Sequence, residues 1–319
     1  MTTRLTRIGV NISHRKFQKF PLSSLTMSME ERQIFYMENR HWGFLFHFFI
    51  FTIGGLRHCK GTRPLIYIPY MRPALKELDE KMVRSLGYSD SEVYTTRDFP
   101  ADYNWDNCKI HYEICDLLKE KYQFIFSLED FPDYEHYSFV KCFGEPAETW
   151  EGAFAFLKQT FEEIAGVAPL DPKKYIYITR KGSETISLHG GKKVRCILNE
   201  DEVLQTITPL GFQCVQLETL PFLEKIRLFQ SAKVVMAPNT AALMFCIFSN
   251  PKSHIVECIP NYVIGQFKTH WNQTQYKVMC EVMGIPYTRF QQYTYVEDYL
   301  NGNLHIPSLW ICLQAITST

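Results

Sequence analysis

Short β-rich runs alternate with amphipathic helical stretches along most of this chain. The intervening stretches, such as Leu75 to Leu86 and Phe222 to Phe229, carry apolar residues at helical spacing. Because strands that alternate with helices form parallel sheets, this pattern predicts an α/β fold. The predicted strands are 65–69, 124–127, 175–179, 212–217, 234–237 and 255–258.

The second half of the chain gives the clearest succession of elements. Asn199 followed by Glu202 has the spacing of a capping box, which predicts that a helix starts at residue 200. Gly211 is expected to end that helix region, because glycine adopts the left-handed conformation at little cost. A strand, a helix (223–230), a strand, a tight turn and a helix (241–248) follow. This order is that of half a doubly wound sheet.

A domain junction is predicted near residue 170. Apolar residues at partly helical spacing fill 150–164, and Pro169 and Pro172 follow them. A helix that two prolines terminate before a new strand is typical of a boundary. We therefore expect an N-terminal domain over 1–169 and a C-terminal domain over 170–290, with residues 291–319 packing back on the N-terminal domain.

Composition agrees with two globular domains and narrows the partners. The chain has 319 residues, of which 46% are hydrophobic and 21% are charged. A single core rarely grows to this length. The 34 basic and 34 acidic side chains give a formal net charge of zero. The chain therefore has no excess of positive charge that would attract nucleic acid, and nucleic acid is an unfavoured partner.

Cysteine usage and the apolar runs predict a cytoplasmic protein without a stable membrane span. The 10 cysteines are scattered and include no CxxC pair, which favours a reducing compartment over a disulfide framework. Residues 1–9 lack the apolar core of a signal peptide. The run 42–56 is shorter than the roughly 20 apolar residues of a spanning helix, and His47 interrupts it. We expect a buried helix there.

Cations follow the strand that ends at Thr179. Arg180 and Lys181 come directly after it, and Arg195 follows a loop long enough to return to the same crevice. Ligands of open parallel sheets bind beyond the carboxyl ends of strands, and a guanidinium group matches phosphate oxygens. These residues are candidate phosphate ligands. The alternative is that all three are solvated surface cations.

Two more candidates lie at later strand ends. Pro238, Asn239, Thr240 and Ala241 form a turn of small residues before a helix, where backbone amides and the helix dipole favour an anion. The alternative is an ordinary β-to-α turn. Glu257 ends the next strand and is a candidate to accept hydrogen bonds from ribose hydroxyls. Equally, it is a candidate for a capping or salt-bridging carboxylate.

His47 is the candidate general base, since a histidine in an interdomain cleft could deprotonate a sugar hydroxyl. A histidine within an aromatic run is also a common core residue. The sequence has no GxxxxGK[ST], GxGxxG, GxSxG or HExxH motif and no Asp-Xaa-Asp. We therefore predict no cofactor and no metal site, and an oxidoreductase is disfavoured.

Several blocks of the second half together resemble the family 61 glycosyltransferases. Their order and spacing match over roughly 175–260, with weaker similarity at 41–45 and 283–287. The blocks are YITRKGS (177–183), RCILNEDEV (195–203), LGFQCVQLETLPFLEKIRLFQSAKVVMAPNTAAL (210–243) and IVECIP (255–260).

The resemblance implies a GT-B architecture, in which two Rossmann-like domains face a cleft and the C-terminal domain holds a nucleotide sugar. It implies an inverting, metal-independent transferase that moves xylose, arabinose or N-acetylglucosamine from a UDP-sugar donor to a glycan acceptor. By motif position, Arg180 and Arg195 would contact the diphosphate, Glu224 would face the donor, and the turn at Asn239 would line the phosphate pocket. Family members typically work in the Golgi lumen.

The chain departs from the family pattern at the turn. Where the family usually has Pro-His-Gly-Ala-Gly-Leu, residues 238–243 read Pro-Asn-Thr-Ala-Ala-Leu, so Asn239 replaces the histidine. Upstream, His41 and Phe44 stand in place of the family's Asn and His, and His47 is out of register with both. The leading hypothesis is therefore a sugar transferase, and the alternative is a non-catalytic glycan- or nucleotide-binding protein on the same scaffold.

Overall fold

The computed structural model describes most of the chain in eleven stretches. They are residues 10–13, 33–37, 45–69, 77–87, 109–142, 150–167, 171–180, 196–259, 271–290, 293–295 and 302–318. Of the candidate site residues, Lys181 and Arg195 lie outside these stretches, as does the side chain of His47.

The described residues form an α/β protein. Its strands are β1 Val10–Ser13, β2 Gln33–Met37, β3 Leu65–Tyr67, β4 Gln123–Ile125, β5 Ser138–Cys142, β6 Lys174–Ile178, β7 Phe212–Val215, β8 Ala232–Pro238, β9 His254–Cys258, β10 Tyr287–Phe290, β11 Tyr293–Tyr295 and β12 Gly302–Leu304. The α-helices are α1 Leu45–His47, α2 Glu77–Ser85, α3 Lys109–Leu117, α4 Trp150–Ala165, α5 Glu200–Ile207, α6 Phe222–Ser231, α7 Trp271–Val282 and α8 Ile306–Thr317. A π-helix continues α1 over Phe48–Ile53, and a 3-10 helix spans Ala241–Phe248.

Contacts between Cα atoms divide the chain into two compact units. The first unit is Met1–Leu157 and the second is Lys158–Thr319. The division falls within α4. The junction near residue 170 that the prolines suggest stays a prediction.

The first unit is built on a sheet in the order β1-β5-β2-β3-β4. β2, β3, β4 and β5 pair in parallel, and β1 adds to β5 antiparallel. The π-helix and its neighbours are buried, as expected for an apolar run too short to span a bilayer. None of the helices in the described part of the chain has the length and apolar character needed to cross a membrane.

A buried carboxylate on α2 connects this helix to the first sheet by hydrogen bonds. Asp79 of α2 is 1% exposed. Its Oδ1 accepts hydrogen bonds from the hydroxyl of Tyr67 at 2.7 Å and from the backbone N–H of Leu128 at 2.8 Å. Its Oδ2 accepts one from the hydroxyl of Ser127 at 2.8 Å. The carboxylate thus joins the ends of β3 and β4 to α2.

The second unit is built on a parallel sheet in the order β10-β9-β8-β6-β7. One face packs against α5 and α8, whose Val203, Leu309 and Leu313 meet Tyr177 and Met236 of the sheet. On the same face Glu200 of α5 accepts hydrogen bonds from Tyr177 and Thr179, both at 2.7 Å.

A second group of helices supplies an aromatic cluster to the second unit. Phe161 of α4 packs edge-on against Phe222 of α6, with ring centroids 5.1 Å apart, and against Phe248. Phe245 of the 3-10 helix contacts Phe222 and Phe229 of α6.

The order of strands and helices in the second unit confirms the α/β arrangement with a parallel sheet that the sequence predicted.

Two details of the second unit differ from expectation. The amide of Asn199 bonds the backbone of Leu304 in β12 in both directions, at 2.9 and 3.0 Å, and within the described residues its side chain makes no capping bond to α5. The segment from residue 291 was expected against the N-terminal domain. Instead, β12 and α8 contribute Leu304, Leu309 and Leu313 to the core of the second unit, because apolar side chains on α5 and β6 leave a face that α8 covers.

Candidate functional site

The carboxyl edge of the second sheet gathers most of the described candidates. Thr179 and Arg180 directly follow the last residue of β6. Asn239 and Thr240 directly follow the last residue of β8. Tyr177 pairs with Met236, so Arg180 and Asn239, each three residues further along, leave the sheet at the same level. The parallel register thus brings the residues of two separate motifs to one edge.

Arg180 is half-buried just beyond β6. No partner of its guanidinium is found among the residues that the structure describes. The alternation of side chains along a strand puts Arg180 on the face opposite Thr179, whose hydroxyl bonds Glu200. From this alternation we expect the guanidinium on the sheet face that carries Asn239.

Glu257 is the centre of a buried polar network at this edge. It is 1% exposed. Its Oε1 accepts a hydrogen bond from the amide of Asn239, and its Oε2 accepts one from the hydroxyl of Tyr287 in β10. The Nε of Arg289 lies 3.7 Å from Oε2. Both carboxylate oxygens are thus occupied within the protein, so a contact of Glu257 with ribose, which stays a prediction, would require these bonds to be exchanged.

Register explains why these side chains meet. Ala237 pairs with Glu257, and Glu257 pairs with Arg289, so the three stand on one face of the parallel strands. Asn239, two residues beyond Ala237, emerges on that face as well. Burial, followed by the negative charge of Glu257, raises the pKa of Tyr287. The phenol therefore keeps its proton and remains a donor to Glu257.

The turn after β8 is more enclosed than a solvent-exposed loop. Pro238, Asn239 and Thr240 are buried, and Ala241 is half-buried at the first position of the 3-10 helix. The amide N–H of Asn239 bonds the carbonyl of Cys258, which ties the turn to β9. Because the side-chain amide of Asn239 already donates to Glu257, it is oriented by the network.

Other candidates are not joined to this network by a described contact. Glu224 lies in the first turn of α6 and is exposed. His47 ends α1 immediately before the π-helix. Within the described residues no group of three His, Cys, Asp or Glu side chains is arranged to hold a metal ion.

Tyr287 and Arg289 belong to the polar network of Glu257, yet the sequence patterns did not identify them. The rule that found Arg180, a charged side chain at the carboxyl end of a parallel strand, applies equally to Arg289. The run Tyr287–Phe290 has two consecutive polar residues, Thr288 and Arg289, and was not predicted as a strand, so Arg289 was not placed at a strand end. Once β10 is recognised as a strand, the same rule identifies Arg289 as a candidate.

A parallel sheet with polar and basic groups at its carboxyl edge is typical of proteins that bind phosphorylated ligands. The family model described as Glycosyltransferase 61 matches residues 137–256, which include β6, β7, β8 and the turn with Asn239. The protein is thus a glycosyltransferase. Residues 137–256 match glycosyltransferase family 61, the family that the sequence blocks of this segment resemble. A comparison with curated proteins found no match.

Proposed function

We propose that the second unit binds a UDP-sugar at the carboxyl edge of its sheet and that the chain transfers the sugar to a hydroxyl of a glycan acceptor. The observation that carries the proposal is the placement of Arg180 and the Asn239 turn at one level of adjacent strands, inside the segment that matches the family. The donor sugar belongs to the xylose, arabinose or N-acetylglucosamine class that the family resemblance implies.

The proposed reaction is an inverting displacement. A base removes the acceptor proton, the acceptor oxygen bonds the anomeric carbon, and the bond from that carbon to the diphosphate breaks, leaving its electron pair on UDP. His47 is the proposed base. Arg180, Lys181 and Arg195, with the amides of the turn, would stabilise the charge on the departing diphosphate without a metal ion. The proposed architecture is GT-B, since each unit has its own sheet, parallel in the second unit and parallel except for β1 in the first.

Arg180→Ala is expected to weaken UDP binding by about one to two decades. A hydrogen bond to a charged group contributes roughly 1.5 to 3 kcal/mol, and each 1.4 kcal/mol is about a factor of ten in the dissociation constant. Isothermal titration calorimetry with UDP measures the effect. Arg227→Ala is the matched control, because Arg227 is an exposed guanidinium on α6 that donates to the carbonyl of Ala165. Equal UDP affinity in wild type and Arg180→Ala would refute the role of Arg180.

The alternative is a non-catalytic nucleotide- or glycan-binding protein on this scaffold. It is favoured by one observation: Asn239, which replaces the family's histidine, has its amide bonded to Glu257. UDP release from UDP-sugars separates the two hypotheses. Turnover that falls in His47→Ala supports the transferase and its base, whereas UDP binding without any turnover supports the alternative. Unchanged turnover when EDTA is added would support the metal-independent mechanism.

A further inference from the structure

Asn239 is held to the neighbouring strand β9 at two points. Its backbone N–H donates to the carbonyl of Cys258 at 3.0 Å, and its side-chain amide donates to Oε1 of Glu257. Only 6% of the residue is exposed. The turn after β8 is therefore anchored to β9 through both the backbone and the side chain of its second residue.

Glu257 is itself fixed from the other side. Its Oε2 accepts a hydrogen bond from the hydroxyl of Tyr287, and the Nε of Arg289 lies 3.7 Å from the same oxygen. Both partners are on β10, and β9 lies between β10 and β8 in the sheet. The carboxylate thus connects β10 to the turn that follows β8.

The polarity of this network is defined by its chemistry. A carboxylate only accepts hydrogen bonds, and its removal from water is costly unless donors replace the water. Burial, followed by the charge of Glu257, raises the pKa of Tyr287, so its hydroxyl keeps the proton that it donates. Asn239 therefore has to present its amide N–H, and not its carbonyl oxygen, to Glu257.

The arrangement separates two roles within the turn. The side chain of Asn239 is directed to Glu257, whereas Ala241, at the start of the 3-10 helix, is half-buried and reaches the surface. A donor at the carboxyl edge of the sheet would meet the backbone of the turn, whose position is set by the anchored residue. A shift of about 1 Å in groups that position a substrate is enough to weaken their effect strongly.

We infer that Glu257 is a positioning residue of the donor site: it holds the turn Pro238–Ala241 in place through Asn239, supported by Tyr287 and Arg289. The inference rests on the proposed function, because it explains how the turn of that donor site is fixed. It replaces a direct contact of Glu257 with the ribose hydroxyls, since both carboxylate oxygens already serve protein donors.

Reversal of the polarity of the Asn239–Glu257 pair tests the inference. Asn239→Asp alone sets two carboxylates against each other, so UDP affinity, measured by calorimetry, should fall about tenfold or more. In Asn239→Asp/Glu257→Gln, the new amide can donate to the new carboxylate while its oxygen accepts from Tyr287. This double variant should regain UDP affinity to within about threefold of wild type, because the two changes are coupled.

Glu281→Gln controls for charge alone. Glu281 is an exposed residue of α7 that pairs with Lys277 at 3.4 Å. Asn239→Asp/Glu281→Gln therefore has the net charge of the polarity-reversed variant but keeps the two facing carboxylates. Its UDP affinity should stay as low as that of Asn239→Asp. Thermal unfolding of each unliganded variant is measured in parallel, and a lower Tm with unchanged UDP affinity would show a purely structural role and overturn the inference.

Glu257→Gln distinguishes positioning from a direct ribose contact. A ribose hydroxyl bonds a charged acceptor more strongly than a neutral amide. If Glu257 held the ribose, this variant would lose part of the preference for UDP over the analogue that lacks both ribose hydroxyls. We expect the same ratio of the two affinities in wild type and variant. A reduced ratio would assign Glu257 to the ribose and overturn the inference.

The outcomes separate the inference from the proposed function. If the wild type does not bind UDP, the proposed function fails and the inference fails with it. If the wild type binds UDP and Asn239→Asp binds it equally well, the inference is overturned while the proposed function stands. The same holds if the polarity-reversed variant binds UDP as weakly as Asn239→Asp. Recovery in that variant, without recovery in Asn239→Asp/Glu281→Gln, supports the positioning role.

Discussion

Asp79→Ala is expected to lower the free energy of unfolding of the first unit by about 3–5 kcal/mol. The variant removes the acceptor of the Tyr67 hydroxyl, the Ser127 hydroxyl and the Leu128 N–H. Each buried donor left without a partner costs roughly 1–3 kcal/mol, and partial relaxation of the site lowers the sum. Urea titration followed by circular dichroism measures the loss.

Two further variants control this experiment. Glu77→Ala changes a carboxylate of the same helix that is exposed and pairs with Lys81 at 2.6 Å, so it should have a far smaller effect. Asp79→Asn keeps the shape and one acceptor oxygen and should lie between the two. An Asp79→Ala protein as stable as Glu77→Ala would show that the buried network does not hold the first unit together.

The stability of the first unit is expected to fall as the pH falls from about 6.5 to about 4, with His111 as a main cause. His111 of α3 is buried, and its ring packs edge-on against Phe48 with centroids 4.4 Å apart. Burial lowers the pKa of His111 to about 4. Within the described residues its Nε2 has no hydrogen-bond partner that would offset the charge of a proton.

The sign follows from comparing the folded and unfolded chains. An unfolded histidine has a pKa of about 6.5, so between that pH and about 4 the unfolded chain binds a proton that the folded chain does not. The stabilising effect of neutral His111 is therefore complete above about pH 6.5 and is lost as the pH falls. With about 1.4 kcal/mol for each pH unit, the loss is on the order of 3 kcal/mol.

Unfolding free energies of wild type, His111→Phe and His111→Gln from pH 8 to pH 4 test this prediction. Neither variant titrates at this position, so both should lose the same part of the pH dependence, even though they differ in packing. Burial also lowers the pKa of His254, which adds a dependence of the same sign in all three proteins. A pH dependence identical in the three proteins would contradict the prediction.

Local patterns were sufficient for the elements with strong signals. The strands at β3, β4, β6, β7, β8 and β9 were predicted within a few residues, because each is a compact run of β-branched and aromatic side chains between turn residues. Gly211 ends its helical region in the left-handed conformation, with a φ of 87°, as predicted. These features depend on neighbours in the sequence.

Features that depend on distant partners were not predictable in this way. Asn199 has the local pattern of a cap, but its side chain bonds Leu304, which lies 105 residues further along the chain. The strands β2, β5 and β10 were missed, and without β10 the placement of Arg289 beside Glu257 could not be foreseen. These positions depend on pairing between segments that are far apart in the sequence. A single sequence does not reveal which segments pair.

The same type of buried hydrogen bond occurs in both units. In each, the hydroxyl of a buried tyrosine on a strand donates to a carboxylate on the helix that follows. In the first unit the pair is Tyr67 and Asp79, and in the second it is Tyr177 and Glu200. Among the described residues, the hydrogen-bond donors to Asp79 lie within residues 67–128. During synthesis on the ribosome, the first unit could therefore form these hydrogen bonds before the second unit has emerged.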